Sequence, residues 1–294
     1  MLLFSELAIL VLVAGCGDPL PQKATLLPDS EGLPVAGGAV AGQNPPAEAP
    51  PAGEPAFQAD KPASVVDPEA QAFLKDPVGW LKECLKRQAD VQGYTCVFTR
   101  KERPKGHNHL HVSTMEVEYR DKPFAVRMRL LKGGSRMAKE VLYADGENKN
   151  QMVILPVGVL AWGGLAYRNP LDPEVMEGHR NPITKFGLRQ TLERTVADWE
   201  KLQKTAPLQV RWLGLQATPE LDGMHCLVVN REGAPDPDDP AIRSETIWIH
   251  PKTGQLVGNR LMDAKGAVVA EYWYNKLVNN SKISPDRFKI STLK

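Results

Sequence analysis

The sequence lacks both an excess of charge of one sign and a hydrophobic run long enough to cross a bilayer. Its 36 Lys and Arg residues nearly balance 35 Asp and Glu residues, and the net charge is +1. Electrostatics therefore gives no reason to expect nucleic acid or an anionic membrane surface as a partner. Away from the N-terminus, the longest uncharged apolar run (152–166) is shorter than the roughly 20 residues of a membrane-spanning helix.

Signatures of known catalytic sites are missing as well. The sequence has no GxSxG elbow, no HExxH pair, no phosphate-binding glycine loop and no CxxC motif. Acidic residues are plentiful, but they alternate with apolar residues along segments that read as strands. We interpret them as solubilising charges on exposed strand faces. The sequence therefore predicts a protein that is not an enzyme, with no catalytic residues and no cofactor.

The first residues have the features of a secretion signal. The apolar stretch LAILVLVA (7–14) has the length of a signal-peptide core and is too short to span a bilayer. The tetrapeptide VAGC (13–16) resembles a bacterial lipobox, which implies cleavage after residue 15 and acylation of Cys16. The preceding MLLFSE departs from that pattern, since it has no Lys or Arg and contains Glu6. The alternative is a buried N-terminal strand with an ordinary cysteine.

Residues 16–63 favour the lipoprotein interpretation. They are dense in Pro, Gly and Ala, so they have little to bury and cannot offset the entropy lost on ordering. We predict a disordered tether between a lipid anchor at Cys16 and one folded domain at 64–294. The predicted location is the bacterial cell envelope, with the domain facing the periplasm and anchored to a membrane through its N-terminal lipid.

The remaining residues predict an α+β domain. A helix is expected from about Val66, interrupted at Pro77, and a second one over 187–204 with an apolar stripe that includes Trp199. Between and after these helices, apolar and polar residues alternate with a period of two, and turn sequences such as RPKG, KGGS and DAKG separate the runs. Such alternation is typical of half-buried antiparallel strands, so we expect one large antiparallel sheet.

Five sequence blocks resemble an uncharacterised family of bacterial envelope proteins. The blocks are YTCVFTRKER (94–103), KPFAVRMRLLKG (122–133), KEVLYADGENKNQMVI (139–154), RNPITKFGLRQTLER (180–194) and AEYWYNKLVNN (270–280). The order of elements also resembles the LolA, LolB and RseB-like lipoprotein carriers. This second resemblance implies a curved, unclosed half-barrel with helices packed on its concave face.

The sequence patterns are compatible with two functions. In the first, the dry face of the sheet holds an apolar ligand, such as a lipid, a lipoprotein acyl chain or an acylated peptide. Phe124, Val126, Met128 and Trp199 would line the cavity, and the helix at 187–204 with the apolar ILPVGVLAWGGLA (154–166) would form its lid. In the second, the protein is an envelope scaffold that binds another envelope protein and has no cavity. Periodicity cannot separate them, but we favour the first.

Three further motifs have weaker interpretations. GHNHLH places His107, His109 and His111 at alternate positions, but no fourth ligand is spaced to join them, so we predict an exposed connection and no metal. DPDD (236–239) lacks the spacing of a calcium loop and predicts a mobile turn. Without Cys16, an odd number of cysteines remains. Cys84–Cys96 pairing, Cys96–Cys226 pairing and three buried thiols all stay open.

Overall fold

The computed structural model describes residues 67–134 and 138–293. All of them belong to the second of two units, residues 61–294. The predicted signal peptide (1–15), the lipidation site Cys16 and the tether (16–63) lie outside the described residues. Within the described ranges, no helix combines the length and apolar character that crossing a membrane requires.

Four α-helices occur in the described residues. They are α1 (Pro68–Lys75), α2 (Pro77–Lys86), α3 (Pro173–Met176) and α4 (Leu188–Gln203). The predicted interruption at Pro77 is confirmed, because Asp76 ends α1 and its carboxylate accepts the Gly79 N–H at 2.8 Å at the start of α2. The predicted apolar stripe of α4 is also confirmed, since its five members are buried: Leu188, Leu192, Val196, Trp199 and Leu202.

Eleven strands form one antiparallel sheet in the part of the chain that the structure describes. In chain order they are β1 (Gly93–Glu102), β2 (His111–Arg120), β3 (Ala125–Gly133), β4 (Ala138–Ala144), β5 (Met152–Pro156), β6 (Ala166–Arg168), β7 (Gln209–Thr218), β8 (Met224–Glu232), β9 (Ser244–Ile249), β10 (Leu256–Met262) and β11 (Val268–Asn279). Two meanders, β1–β6 and β7–β11, meet where β1 pairs with β11. Because β6 and β7 are free edges, the sheet is unclosed, as the half-barrel prediction requires.

Each half of the inner face has its own core. On the β8–β10 half, α1, α2 and α4 contribute Phe73, Leu81 and Trp199 to a cluster that we call the helix cluster. On the β1–β5 half lies the inner cluster, whose buried members are Tyr94, Cys96, Phe98, Val117, Tyr119, Phe124, Val126, Tyr143, Met152, Leu188 and Tyr274. The outer face of β3–β5 is covered by the C-terminal residues, including Phe288 and Leu293.

Not all acidic residues on the strands are exposed, although exposure was expected from the sequence. Four of them are buried rather than exposed: Glu102, Glu140, Glu245 and Glu271. Each has a donor within reach; for example, the Tyr272 hydroxyl donates to Glu102 at 2.5 Å and the Arg260 guanidinium to Glu271 at 2.7 Å. The solubilising interpretation is therefore wrong for these four, because paired carboxylates tolerate burial that unpaired ones do not.

The three cysteines of the domain are buried and free, which selects the third of the open alternatives. Cys84 lies in the helix cluster, Cys96 in the inner cluster and Cys226 on the outer side of the sheet. Burial raises the pKa of the Cys84 and Cys226 thiols to about 11. These thiols behave as small apolar side chains.

Candidate functional site: the inner cluster and its lid

The inner cluster brings together three of the four residues predicted to line a ligand site. Phe124 and Val126 are buried members, and the partly buried Met128 packs against them. Val126 and Met128 lie two residues apart on β3, so their side chains point to the same face of the sheet. This face therefore presents a continuous apolar surface toward the interior of the half-barrel.

Trp199, the fourth predicted residue, lies elsewhere. It is buried in the helix cluster, where its indole N–H donates to Glu245 at 2.8 Å. The structure therefore does not place Trp199 beside Phe124 and Val126. Its position on α4 follows from the apolar stripe, but which half of the sheet that stripe covers depends on tertiary packing.

The covering of the inner cluster is irregular chain, residues 173–187, which we call the lid segment. It contains the single-turn helix α3 and contributes the partly buried Val175, Ile183 and Phe186. Its backbone hydrogen bonds include Met176 to the Asp172 carbonyl and Phe186 to the Ile183 carbonyl, both local. The backbone of the lid segment is thus bonded locally rather than into the sheet, and side chains make its contacts to the rest of the domain.

The two segments predicted to form a lid lie mainly elsewhere. Helix α4 packs mainly on the helix cluster, with only its first residue, Leu188, in the inner cluster. The apolar stretch 154–166 forms the end of β5, a 3-10 turn and the start of β6, so it continues the sheet instead of covering it. Alternating and helical apolar patterns do not reveal which irregular segment folds back across a sheet.

Phe186 is the central contact of the lid segment. Its ring lies 5.1 Å from Phe98, 5.9 Å from Tyr274 and 6.2 Å from Tyr119, measured between ring centroids. Tilted and edge-on aromatic pairs at such distances each contribute about 0.5–1.5 kcal/mol beyond the area they bury. Phe186 therefore works as a plug in the inner cluster.

Gly187 joins the plug to helix α4. Its φ of +140° lies where side chains are disfavoured, and a Cβ there would be 2.9 Å from the Tyr119 hydroxyl oxygen. The next N–H, of Leu188, donates to the Tyr94 hydroxyl at 3.2 Å. Only glycine fits this close approach, so the backbone bends here between the lid segment and a fixed helix.

Polar contacts hold the middle of the lid segment to the sheet. The buried Arg180 guanidinium donates to the Arg103 carbonyl at 2.7 Å and forms an ion pair with Asp239. Asp239 belongs to the DPDD motif, in which the Asp236 carboxylate accepts two backbone N–H groups at 3.0 Å. These acids form a folded turn and anchor the lid segment, a role that the sequence pattern did not reveal.

Three titratable side chains in the inner cluster and the lid segment are neutral. Burial, reinforced by the positive charge of Arg100, lowers the pKa of the lid residue His179 to about 3, so its imidazole is neutral. Burial also raises the pKa of the Tyr94 and Tyr274 phenols, which are therefore neutral too. The cavity between Tyr94, Tyr119 and Leu188 measures about 10 Å³, which is room for about one water molecule. An apolar ligand would thus have to displace lid side chains.

The histidine motif forms a second group of functional side chains. Ligand nitrogens of His107, His109 and His111 all lie within 4.8 Å of one another. Only His111 belongs to β2; the others lie in the turn before it, so the expected strand alternation does not explain the convergence. Burial and the neighbouring imidazoles lower the pKa of His111, which favours its neutral form.

Sequence reasoning missed Arg180, Phe186 and Gly187. All three lie in the block RNPITKFG, where an arginine and a phenylalanine occur in a stretch without a strand or helix pattern. Apolar residues in an irregular stretch directly before a helix were the available signal.

Several solved structures are distantly similar to this chain. A chain of the Pseudomonas aeruginosa MucA/MucB complex is 18% identical, with a TM-score of 0.41 over 73% of this chain and 60% of that chain. Mycobacterium tuberculosis lipoprotein LppX is 12% identical, with a TM-score of 0.37 over 71% of this chain and 98% of that chain. A LolA superfamily protein from Nitrosomonas europaea is 9% identical, with a TM-score of 0.30 over 76% and 98%.

The chain spans only 60% of the length of the matched chain from the MucA/MucB complex. No curated protein sequence matches the chain. A family model described as a protein of unknown function (DUF1571) matches residues 91–292, which include the sheet, the lid segment and most of the C-terminal covering. The chain therefore belongs to the DUF1571 family.

Proposed function

We propose that this protein is a non-catalytic envelope protein that binds an acyl chain of a lipid or lipoprotein between the inner cluster and the lid segment. The observation that carries the proposal is the covering of the inner cluster by irregular chain through the plug Phe186. A ligand site needs a cover that opens, and the backbone of this cover is bonded locally, so opening has to break only its side-chain contacts.

The energetics of exchange support this proposal. When the lid segment opens, three partly buried apolar side chains leave the inner cluster, namely Val175, Ile183 and Phe186. An acyl chain entering the same space gains about 0.8 kcal/mol for each buried CH₂. Burial of several methylenes therefore offsets the exposure of these lid side chains to water. Phe124, Val126 and Met128 would contact the chain, with Trp199 fixing α4 behind the Gly187 bend.

Binding of a fluorescent palmitate analogue to the purified domain tests this proposal. Removing the plug by Phe186→Ala takes away at least about 1.5 kcal/mol of aromatic packing that closes the lid. If closure competes with binding, the apparent affinity of the probe rises at least about tenfold. Met128→Lys places a charge on the apolar surface and is expected to weaken probe binding by at least about tenfold.

A matched control separates specific from general effects. Leu215→Lys introduces the same charge at an exposed position on β7, outside the inner cluster, and should leave probe affinity unchanged. Circular dichroism and urea unfolding confirm that each variant is folded. Equal probe binding by wild type, Phe186→Ala and Met128→Lys would instead support a scaffold without a cavity.

The envelope scaffold is the second candidate, and one observation favours it. Trp162 is 91% exposed, and Leu171 is exposed as well. Exposed aromatic side chains are enriched where proteins bind partners. A scaffold would use such residues for an envelope protein partner and keep the inner cluster closed. The two candidates thus differ in what Phe186→Ala does to the binding of an acyl probe.

The proposal includes a membrane anchor at Cys16. Cleavage after residue 15 and acylation would tether the domain through residues 16–63, giving it reach from the membrane surface of the envelope. Mass spectrometry of the N-terminal peptide from protein made in its native host tests this. The expected peptide begins at Cys16 and carries acyl chains, whereas an unmodified Cys16 in that host contradicts the anchor.

A further inference from the structure

The convergence of three histidines is not explained by ligand binding in the inner cluster. Nε2 of His111 lies 2.8 Å from Nε2 of His109, and the three ring centroids are 4.7–5.6 Å apart. Imidazole nitrogens bound to one tetrahedral zinc ion at about 2.0–2.1 Å lie about 3.4 Å from each other. The observed nitrogens, all within 4.8 Å, are thus close to a ligand arrangement.

A hydrogen bond between imidazoles explains only part of this arrangement. One neutral ring donates and another accepts, which accounts for His109 and His111. His107 has no part in such a pair, although its ring centroid lies 5.6 Å from those of both other histidines. The turn that brings it back passes through Gly106, with φ of +82° and open space around it. Three partly or fully exposed imidazoles whose ligand nitrogens lie within 4.8 Å of one another need only small shifts to bind one metal ion.

A buried carboxylate lies beside the three histidines. Glu102 pairs directly with His111 in the β1–β2 ladder, so the two side chains lie on the same face of the sheet. One oxygen of this buried carboxylate has no hydrogen-bond partner within the described residues. The Arg100 guanidinium lies 3.5 Å from that oxygen. Its positive charge repels a bound cation and nearly balances the negative charge of Glu102. Metal-binding histidines commonly have a carboxylate in their outer shell.

We propose that His107, His109 and His111 bind a divalent transition-metal ion through three imidazole nitrogens, with water completing the coordination. Three nitrogen ligands suit zinc, copper and nickel and do not suit calcium or magnesium. The site lies beside the lid segment, because a Cβ on Gly178 would be 3.9 Å from Nδ1 of His111. The bound ion would therefore fix the β1–β2 turn next to the place where the lid is tethered.

The test uses untagged full-length protein, stripped of metal and titrated with Zn²⁺ in competition with a chromophoric chelator. One equivalent is expected to bind. Loss of an outer-shell partner alone weakens metal binding about 10–100-fold, so His109→Ala and His111→Ala should each weaken it at least that much. His109 is exposed, and its removal should leave the circular dichroism spectrum unchanged. Co²⁺ should give visible absorption bands that either variant abolishes.

His225→Ala is the matched control. His225 is an exposed histidine on β8, outside the cluster, and its removal should leave zinc affinity unchanged. Zinc affinity that survives the combined His107→Ala, His109→Ala and His111→Ala changes would overturn the proposal. So would a stoichiometry well below one, or equal weakening by His225→Ala. None of these readouts depends on acyl binding, so this site and the ligand site can fail separately.

Discussion

Replacing Arg127 with alanine is expected to lower the free energy of unfolding by about 3–5 kcal/mol. Arg127 and Glu140 form an ion pair between β3 and β4, with side chains only 6% and 5% exposed. The guanidinium also donates to the Thr292 carbonyl at 3.0 Å and the Arg287 carbonyl at 3.1 Å. Its removal leaves a buried carboxylate without its cation and frees the C-terminal residues from the sheet.

Thermal unfolding measures this effect, with an expected decrease in Tm of about 6–20 °C for a domain of this size. Arg129→Ala is the control, because Arg129 lies on the same strand and pairs with Glu116, yet their side chains are 51% and 48% exposed. Exposed pairs contribute about 0–1 kcal/mol. The double change Arg127→Met with Glu140→Leu should recover much of the loss. Similar losses for Arg127→Ala and Arg129→Ala would contradict this reasoning.

Glu245→Ala should destabilise the domain by at least about 4 kcal/mol, because it removes the acceptor that joins α4 to the sheet. The carboxylate accepts from Trp199 at 2.8 Å, Asn259 at 3.1 Å and Thr195 at 3.2 Å. It also lies 4.0 Å from the buried Arg231 guanidinium. Alanine would leave that cation and several donors buried without partners.

Urea unfolding of three variants tests the role of Glu245. Glu245→Gln keeps an acceptor oxygen but removes the charge, so its loss should be smaller than that of alanine. Glu232→Ala removes an exposed acid on the neighbouring β8, paired with Arg211, and should change stability by less than about 1 kcal/mol. A loss for Glu245→Ala no larger than that for Glu232→Ala would contradict a structural role for this buried network.

Local periodicity was sufficient to predict most of the fold. Alternation along β1, β2 and β3, the break at Pro77 and the apolar stripe of α4 all depend on residues near one another in sequence. The burial of Glu245 and Glu140 could not be predicted from neighbouring residues in the same way. Each takes a polar position in an alternating pattern, and its partner lies on another element: Trp199 on α4 for Glu245, and Arg127 on β3 for Glu140.

The candidate site was predictable only in part. Phe124, Val126 and Met128 share a face because strand geometry fixes their orientation, and the structure places them together. Trp199 was predicted to join them, but its stripe packs on the other half of the sheet. The plug Phe186 lies in irregular chain, where no period links side-chain direction to sequence. Both positions depend on packing between residues that are far apart in the sequence. Local sequence patterns do not show such packing.

Photo-crosslinking with a diazirine-labelled fatty acid, followed by peptide mapping, tests acyl binding beneath the lid segment most directly. If an acyl chain enters the inner cluster, label is expected on peptides containing β3 residues 125–128 and lid residues 173–187. This labelling should saturate, be displaced by unlabelled palmitate and increase in Phe186→Ala. Labelling confined to the exposed surface around Trp162, or labelling that unlabelled palmitate does not displace, would contradict a ligand site in the half-barrel.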